Sequence, residues 1–308
     1  MHNVAIHLGL HKTATTTLQH QLFPQCEDIE LFITHRPELR SFIDLCARKD
    51  PLYFDPEQAR SLLLPKFRTD ALNLISNESL SGPPYAGLIE FGLDHRKPVI
   101  QNLCKALPQA KAFIVLRRQD KLAKSLYRQY LKAGGTRRVQ RFYGFDERPE
   151  PGLMSLDRFY FKPYLDFLRA EFTDGLLVLT FEDFVRDSKS FLAKLADFLG
   201  VQFPEIELKR ENATTLGPFG LELSRLLNHG FRNLCNPGGM LPGPTVDQFG
   251  KQQSKSPVEL FFDWYPGKGK KGDSKVDYIY LDILDRVKED NRKLDKEYDL
   301  GLAEHGYY

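Results

Sequence analysis

Lys12 and four threonines, Thr13, Thr15, Thr16 and Thr17, stand directly after the apolar run 4–8, with only the small Ala14 among them. These residue types suit the holding of an anion. Backbone N–H groups of a tight loop and of a following helix N-terminus point at the ligand, threonine hydroxyls add donors, and a lysine brings a mobile positive charge. About a hundred residues on, the apolar run 112–116 ends in Arg117, and Ser125 follows eight residues later. A guanidinium at a strand end and a hydroxyl two helical turns further can meet on one phosphate, the first as a planar fork and the second as an extra donor. Glu78, just past the apolar run 71–76, is the best-placed carboxylate to take a proton from an acceptor hydroxyl, with His35 and His11 as the other bases open to that task.

Runs 4–8, 71–76, 112–116 and 175–179 read as buried strands, separated by helical patterns that include 98–107, 120–130 and 157–172. This alternation predicts an α/β three-layer sandwich with a central parallel sheet covered on both faces. Ligands of such sheets bind beyond the carboxyl ends of the strands. Lys12, Glu78 and Arg117 each lie just past one such end. The loop does not have the nucleotide P-loop spacing GxxxxGK[ST], since Gly9 precedes Lys12 by three residues and no second glycine stands before the lysine. A positive φ at Ala14 would cost strain that glycine avoids.

The run His11-Lys12-Thr13-Ala14-Thr15-Thr16-Thr17-Leu18 resembles the 5′-phosphosulfate loop of sulfotransferases that use 3′-phosphoadenosine 5′-phosphosulfate (PAPS), commonly Lys-Thr-Gly-Thr-Thr, with Ala14 in place of the usual glycine. Leu116-Arg117 with Ser125 and Tyr127 is similar to the family's 3′-phosphate motif. Weaker resemblances are the strand and Glu182-Asp183 turn over 175–184, the run 191–200 closing in Phe-Leu-Gly, and Asn291 with Leu294 and Tyr298 near the end. The resemblance implies one domain over 1–308 with the P-loop NTPase-like sulfotransferase fold, closest to soluble bacterial-type members. It implies that Lys12 stabilises the bridging oxygen of the phosphosulfate, surrounded by His11, Thr13, Ala14, Thr15, Thr16 and Thr17. Arg117 and Ser125 would hold the 3′-phosphate, and Glu78 would act as base. PAPS would be the donor and adenosine 3′,5′-bisphosphate (PAP) the product, with no metal called for. The acceptor would be a hydroxyl or amine of a small molecule or carbohydrate.

With 308 residues, 42% hydrophobic and 27% charged, the chain has the composition of an ordinary globular protein. No apolar run approaches the ~20 residues of a membrane span, no signal peptide is visible, and the cysteines Cys26, Cys46, Cys104 and Cys235 lack CxxC spacing. A cytoplasmic protein is the expectation. The net charge of +2 argues against nucleic acid as partner, although the stretch from Lys111 to Arg141 holds ten Lys or Arg and one acid, Asp120. Two Gly/Pro-marked regions, about 133–156 and 201–275, are expected to shape the acceptor site. The stretch from Arg141 to Phe161 carries rings (Phe142, Tyr143, Phe145, Phe159, Tyr160 and Phe161) that could stack on an acceptor, and the second region carries a Lys-Gly cluster at 267–272. Competing readings are a P-loop-type kinase, with Glu182 or Asp183 as its Mg²⁺ ligand, and a nucleotide-binding protein without transfer activity. Oligomeric state is not legible.

Overall fold

The computed structural model describes residues 2–10, 12–33, 36–81, 96–145, 152–206, 218–232, 235–242, 245–248, 251–254 and 277–308. All four expected strands form: β1 (Asn3–Leu8), β3 (Leu72–Asn77), β4 (Lys111–Leu116) and β5 (Leu176–Thr180). A fifth, β2 (Ile29–Phe32), was not expected, because a four-residue edge strand containing Glu30 shows too little periodicity to stand out. The sheet order is β2-β3-β1-β4-β5, and every pairing is parallel.

Side chains alternate across this sheet and so supply two cores. Val4, Ile6 and Leu8 of β1, Ile75 of β3, Ile114 of β4 and Val178 of β5 enter the larger one. Ala5, Leu74, Phe113 and Leu179 enter the other, which also takes Leu18, Leu22 and Phe23. The helices that cover the sheet are short and amphipathic. In chain order, α1 (Thr15–Thr17) opens the segment after β1 and continues as a π-helix, Leu18–Leu22. Next come α2 (Pro37–Arg48), α3 (Pro56–Ser61), α4 (Arg96–Ala106), α5 (Gln119–Lys132), α6 (Val139–Tyr143) and α7 (Phe161–Glu171). Then follow α8 (Phe181–Arg186), α9 (Ser188–Leu199), α10 (Pro218–Asn228), α11 (Asp277–Arg286) and α12 (Lys288–Tyr298). With helices on both faces, the three-layer expectation holds. Among the described residues no helix is long and apolar enough to cross a membrane.

Three details differ from the sequence reading. The pattern over 157–172 is not one helix: a 3₁₀ turn, Leu156–Phe159, ends at Tyr160, whose extended backbone (φ −80°, ψ 99°) separates it from α7. Region 133–156 contains α6, and region 201–275 contains α10, so neither is only loop. The aromatic residues offered for stacking are mostly core. Phe142, Tyr143, Phe159 and Phe161 are buried, and the Phe142 ring lies 4.7 Å from Tyr130 and 4.8 Å from Tyr143. Burial of each such ring contributes about 1.5–3 kcal/mol, which explains why tertiary packing claims them.

Candidate functional site

The loop after β1 is built in a conformation that side chains disfavour. Lys12 (φ 68°) and Ala14 (φ 65°, ψ 8°) both adopt left-handed backbone. Ala14 thus has the positive φ at which glycine would be unstrained, at a cost of about 1–2 kcal/mol. The turn this produces lets α1 begin at once, and Leu18 N–H donates to the Ala14 carbonyl (3.0 Å). Thr13 is buried, and its hydroxyl donates to the Leu10 carbonyl (2.6 Å), bracing the loop from inside. Thr15 is buried too, yet its Oγ1 has no partner. A buried orphan hydroxyl is a reason to look for a ligand, because leaving one unpaired costs about 1–3 kcal/mol. Thr16 is exposed and Thr17 half-buried. His11 and His35 lie outside the described residues, as does the cluster 267–272.

Glu78 heads a 3₁₀ turn, Glu78–Ser81, immediately after β3. It lies against the loop: a Cβ on Gly9 would come within 3.1 Å of Glu78 Cγ and 3.2 Å of Thr15 Oγ1. Gly9 is therefore the gap that allows the carboxylate and the threonine to approach each other. Lys12 has exposed surface, but the protein around its ammonium desolvates it and lowers its pKa; the Glu78 charge opposes that shift, while Lys132 and Arg117 add to it.

Arg117 closes the arrangement. Its Nη1 donates to the Lys12 carbonyl (2.8 Å) across 105 residues of sequence, and its guanidinium sits 4.7 Å above the Phe181 ring. Arg117 Nε is buried without a partner. Burial lowers the Arg117 pKa; Glu182 opposes this, and Arg128 adds to it. Ser125 is half-buried on α5, one turn before Arg128. The face of α5 that carries Ser125, Arg128 and Lys132 thus brings two further cations to Lys12 and Arg117. The sequence offered only the ten-cation stretch as a signal for them. Most of its other members have structural partners. Lys111 Nζ caps the carbonyls of Phe198 and Leu199 at the end of α9, Arg118 pairs with Asp120 (2.8 Å), and Lys124 pairs with Asp277 (2.9 Å).

Beneath the loop lies a network that sequence reading missed. His7 and Ser76 face each other across β1 and β3, and His7 Nδ1 meets Ser76 Oγ at 2.7 Å. Gln19, on the π-helix, donates to both Ser76 O (3.0 Å) and Ser76 Oγ (2.9 Å). Ser76 Oγ thus joins Gln19 Nε2 and His7 Nδ1 in one buried network, while His7 Nε2 is buried without a hydrogen-bond partner. His7 is fully buried, stacked on Phe113 at 4.4 Å, and burial lowers its pKa to about 3 despite Glu78. The neutral imidazole thereby ties the strand bearing Glu78 to the strand bearing Lys12.

The acids considered as Mg²⁺ ligands are engaged within the protein. Glu182 accepts from Arg118 N–H (3.1 Å) and from the Tyr307 hydroxyl (2.8 Å). Asp183 accepts from the Thr180 hydroxyl (2.8 Å), Arg186 (2.8 Å) and His305 Nε2 (2.9 Å). A cleft of about 540 Å³ lies between α4 and α7, lined by Arg96, Tyr160, Tyr164 and Phe167. One of its walls, α4, also packs against the Glu78–Ser81 turn.

No protein-family model and no curated protein sequence matches the chain. Among solved structures it is similar to a sulfotransferase from Alicyclobacillus acidocaldarius, with 19% identity over 68% of this chain and 87% of that one, at a TM-score of 0.46. It is also similar to a mouse sulfotransferase complexed with PAP, with 15% identity over 66% of this chain and 60% of that one, at a TM-score of 0.34. A third is retinol dehydratase in complex with androsterone and inactive cofactor PAP, with 16% identity over 97% of this chain and 82% of that one, at a TM-score of 0.37.

Proposed function

We propose that the chain is a PAPS-dependent sulfotransferase, a single domain over 1–308 working in the cytoplasm on a small-molecule or carbohydrate acceptor. The observation that carries this reading is the Arg117 to Lys12 hydrogen bond (2.8 Å), which joins the two resemblance motifs into one cationic site. The residues suit a nucleotide with phosphate at both its 3′ and 5′ positions. Thr15 Oγ1 and Arg117 Nε, buried and without partners, supply donors at the two ends. The donor brings the activated sulfuryl group. Lys12 would stand where negative charge develops on the departing 5′-phosphate oxygen, and a cation so placed acts electrostatically without metal or covalent step. Arg117 and Ser125 would hold the 3′-phosphate. Glu78, close to both Gly9 and Lys12, would take the acceptor proton. The rings and Arg96 of the cleft beside α4 support a ring-bearing acceptor.

The kinase reading loses support because Glu182 and Asp183 have structural partners. Calorimetric titration with PAP, and separately with ADP plus Mg²⁺, separates the two. PAP should bind the wild type and bind Arg117→Ala at least about a hundredfold more weakly, the loss expected for a desolvated charge pair. Tight Mg²⁺-dependent ADP binding that ignores Arg117 would overturn the proposal.

A further inference from the structure

We propose that the segment 301–308 positions Arg117 for phosphate by keeping the Glu182 carboxylate occupied, which makes Tyr307 a positioning residue of the donor site. This rests on the donor-site reading above. The segment is anchored by a closed ring of hydrogen bonds around the end of β4. Gln119 Nε2 donates to Asn291 Oδ1 (2.7 Å), and Asn291 Nδ2 donates to Gln119 Oε1 (3.2 Å) and to the Tyr307 carbonyl (3.0 Å). Arg118 Nη1 donates to the His305 carbonyl (3.1 Å). Gln119, Asn291 and Tyr307 are all fully buried, so the bonds among them do not compete with water.

The ring closes on Glu182, with one oxygen taking the Arg118 N–H (3.1 Å) and the other the Tyr307 hydroxyl (2.8 Å). Burial, reinforced by the Glu182 charge, holds the Tyr307 hydroxyl well above the usual tyrosine pKa, so it remains a donor. Glu182 also adjoins Phe181, the ring on which the Arg117 guanidinium rests at 4.7 Å. An acid this near a half-buried guanidinium would ordinarily form an ion pair with it. Here it does not: Arg117 donates to the Lys12 carbonyl and keeps Nε unpartnered. The carboxylate moderates the desolvation of Arg117 without capturing its fork, and the fork stays available to a phosphate. Nothing in the sequence near Arg117 signals this dependence, because Tyr307 and Glu182 are separated by 125 residues.

The test is calorimetric titration of PAP into wild type, Tyr307→Phe, Glu182→Gln and the double variant, with a thermal melt of each. Loss of the Tyr307 hydroxyl frees Glu182 to pair with Arg117, so PAP should bind Tyr307→Phe about tenfold more weakly. In the double variant a neutral amide no longer competes for the guanidinium, and affinity should return to the wild-type value. A merely structural role predicts no such recovery. Glu182→Gln alone, with the packing of 301–308 intact, should bind PAP at least as tightly as wild type, which keeps the test valid if Tyr307→Phe does not fold. Unchanged affinity in Tyr307→Phe, no recovery in the double variant, or weaker binding by Glu182→Gln would overturn the inference and leave the donor-site reading standing. A wild type that does not bind PAP would overturn both.

Discussion

The ends of β1 and β4 meet at one site but are built in opposite ways. After β1 the chain is strained and under-satisfied: Lys12 and Ala14 have positive φ, and Thr15 Oγ1 is buried without a partner. After β4 nearly every polar group is matched. Arg118 bonds Asp120, Glu182 and His305 and Gln119 bonds Asn291, while Arg117 Nε and, further along α5, Arg128 Nε are buried without partners. The difference teaches a division of labour. On the function proposed, the loop keeps a donor unpaired for an anion at the expense of its own stability, while a single guanidinium is aimed by a rigid surround.

The largest expected effect tests the strained side. Lys12→Ala should lower the transfer rate about 10²–10³-fold, as loss of one charge-stabilising donor does elsewhere, while PAP still binds. Single-turnover measurement of sulfuryl release checks this. An unchanged rate would remove Lys12 from the chemistry. Asp120→Ala tests the saturated side. Asp120 is buried and its pKa is lowered: burial acts to raise it, but the Arg118 hydrogen bond overcomes that. Removing Asp120 leaves the Arg118 guanidinium without its ion-pair partner and with only the His305 carbonyl, so chemical denaturation should show a loss of about 3 kcal/mol. A loss confined to PAP binding, with stability intact, would contradict the division just drawn.

A pH-dependent effect concerns the layer under the strained loop. The folded-state pKa of His7 is lowered from 6.5 to about 3, so between those values the unfolded chain binds a proton that the native state refuses. Stability contributed by the neutral imidazole is present above pH 6.5 and lost as pH falls toward 3. The slope is up to about 1.4 kcal/mol per pH unit. Denaturation of wild type and His7→Gln across that range should give a steep and a flatter dependence respectively. The smallest effect is at Ala14. Glycine there relieves the left-handed strain but loosens the unfolded chain, and the balance predicts a gain of about 0.5–1 kcal/mol on Ala14→Gly. Destabilisation would mean that the φ of 65° is not the strained feature it resembles.

Much of the architecture was legible, because a strand or an amphipathic helix is specified within a few residues. The apolar runs of β1, β3, β4 and β5 and the three- and four-residue spacing of Leu122, Leu126, Tyr127 and Tyr130 in α5 needed no distant partner to be recognised. The short β2, the break at Tyr160 and the π-helix over Leu18–Leu22 were not legible, since each depends on what packs beside it. Lys12, Glu78 and Arg117 could be proposed from residue type and position at strand ends, and the structure brings Arg117 onto the Lys12 carbonyl and Glu78 against the same loop. His7, Gln19 and Ser76 were missed because their bonds cross two strands and a helix.

The sequence alone determined that strands alternate with helices, that their carboxyl ends carry a lysine, a glutamate and an arginine, and that threonines crowd the first of those ends. Tertiary structure decided what these groups touch. The order β2-β3-β1-β4-β5 sets β4 beside β1 and so lets Arg117 reach the Lys12 carbonyl. Packing drew Phe142, Tyr143, Phe159 and Phe161 into the core, and folding of 301–308 onto the sheet end gave Glu182 its second partner. The physical reason is range: periodicity is a property of neighbouring residues, whereas hydrogen bonds across a hundred residues exist only once sheet order and core packing have brought their atoms together.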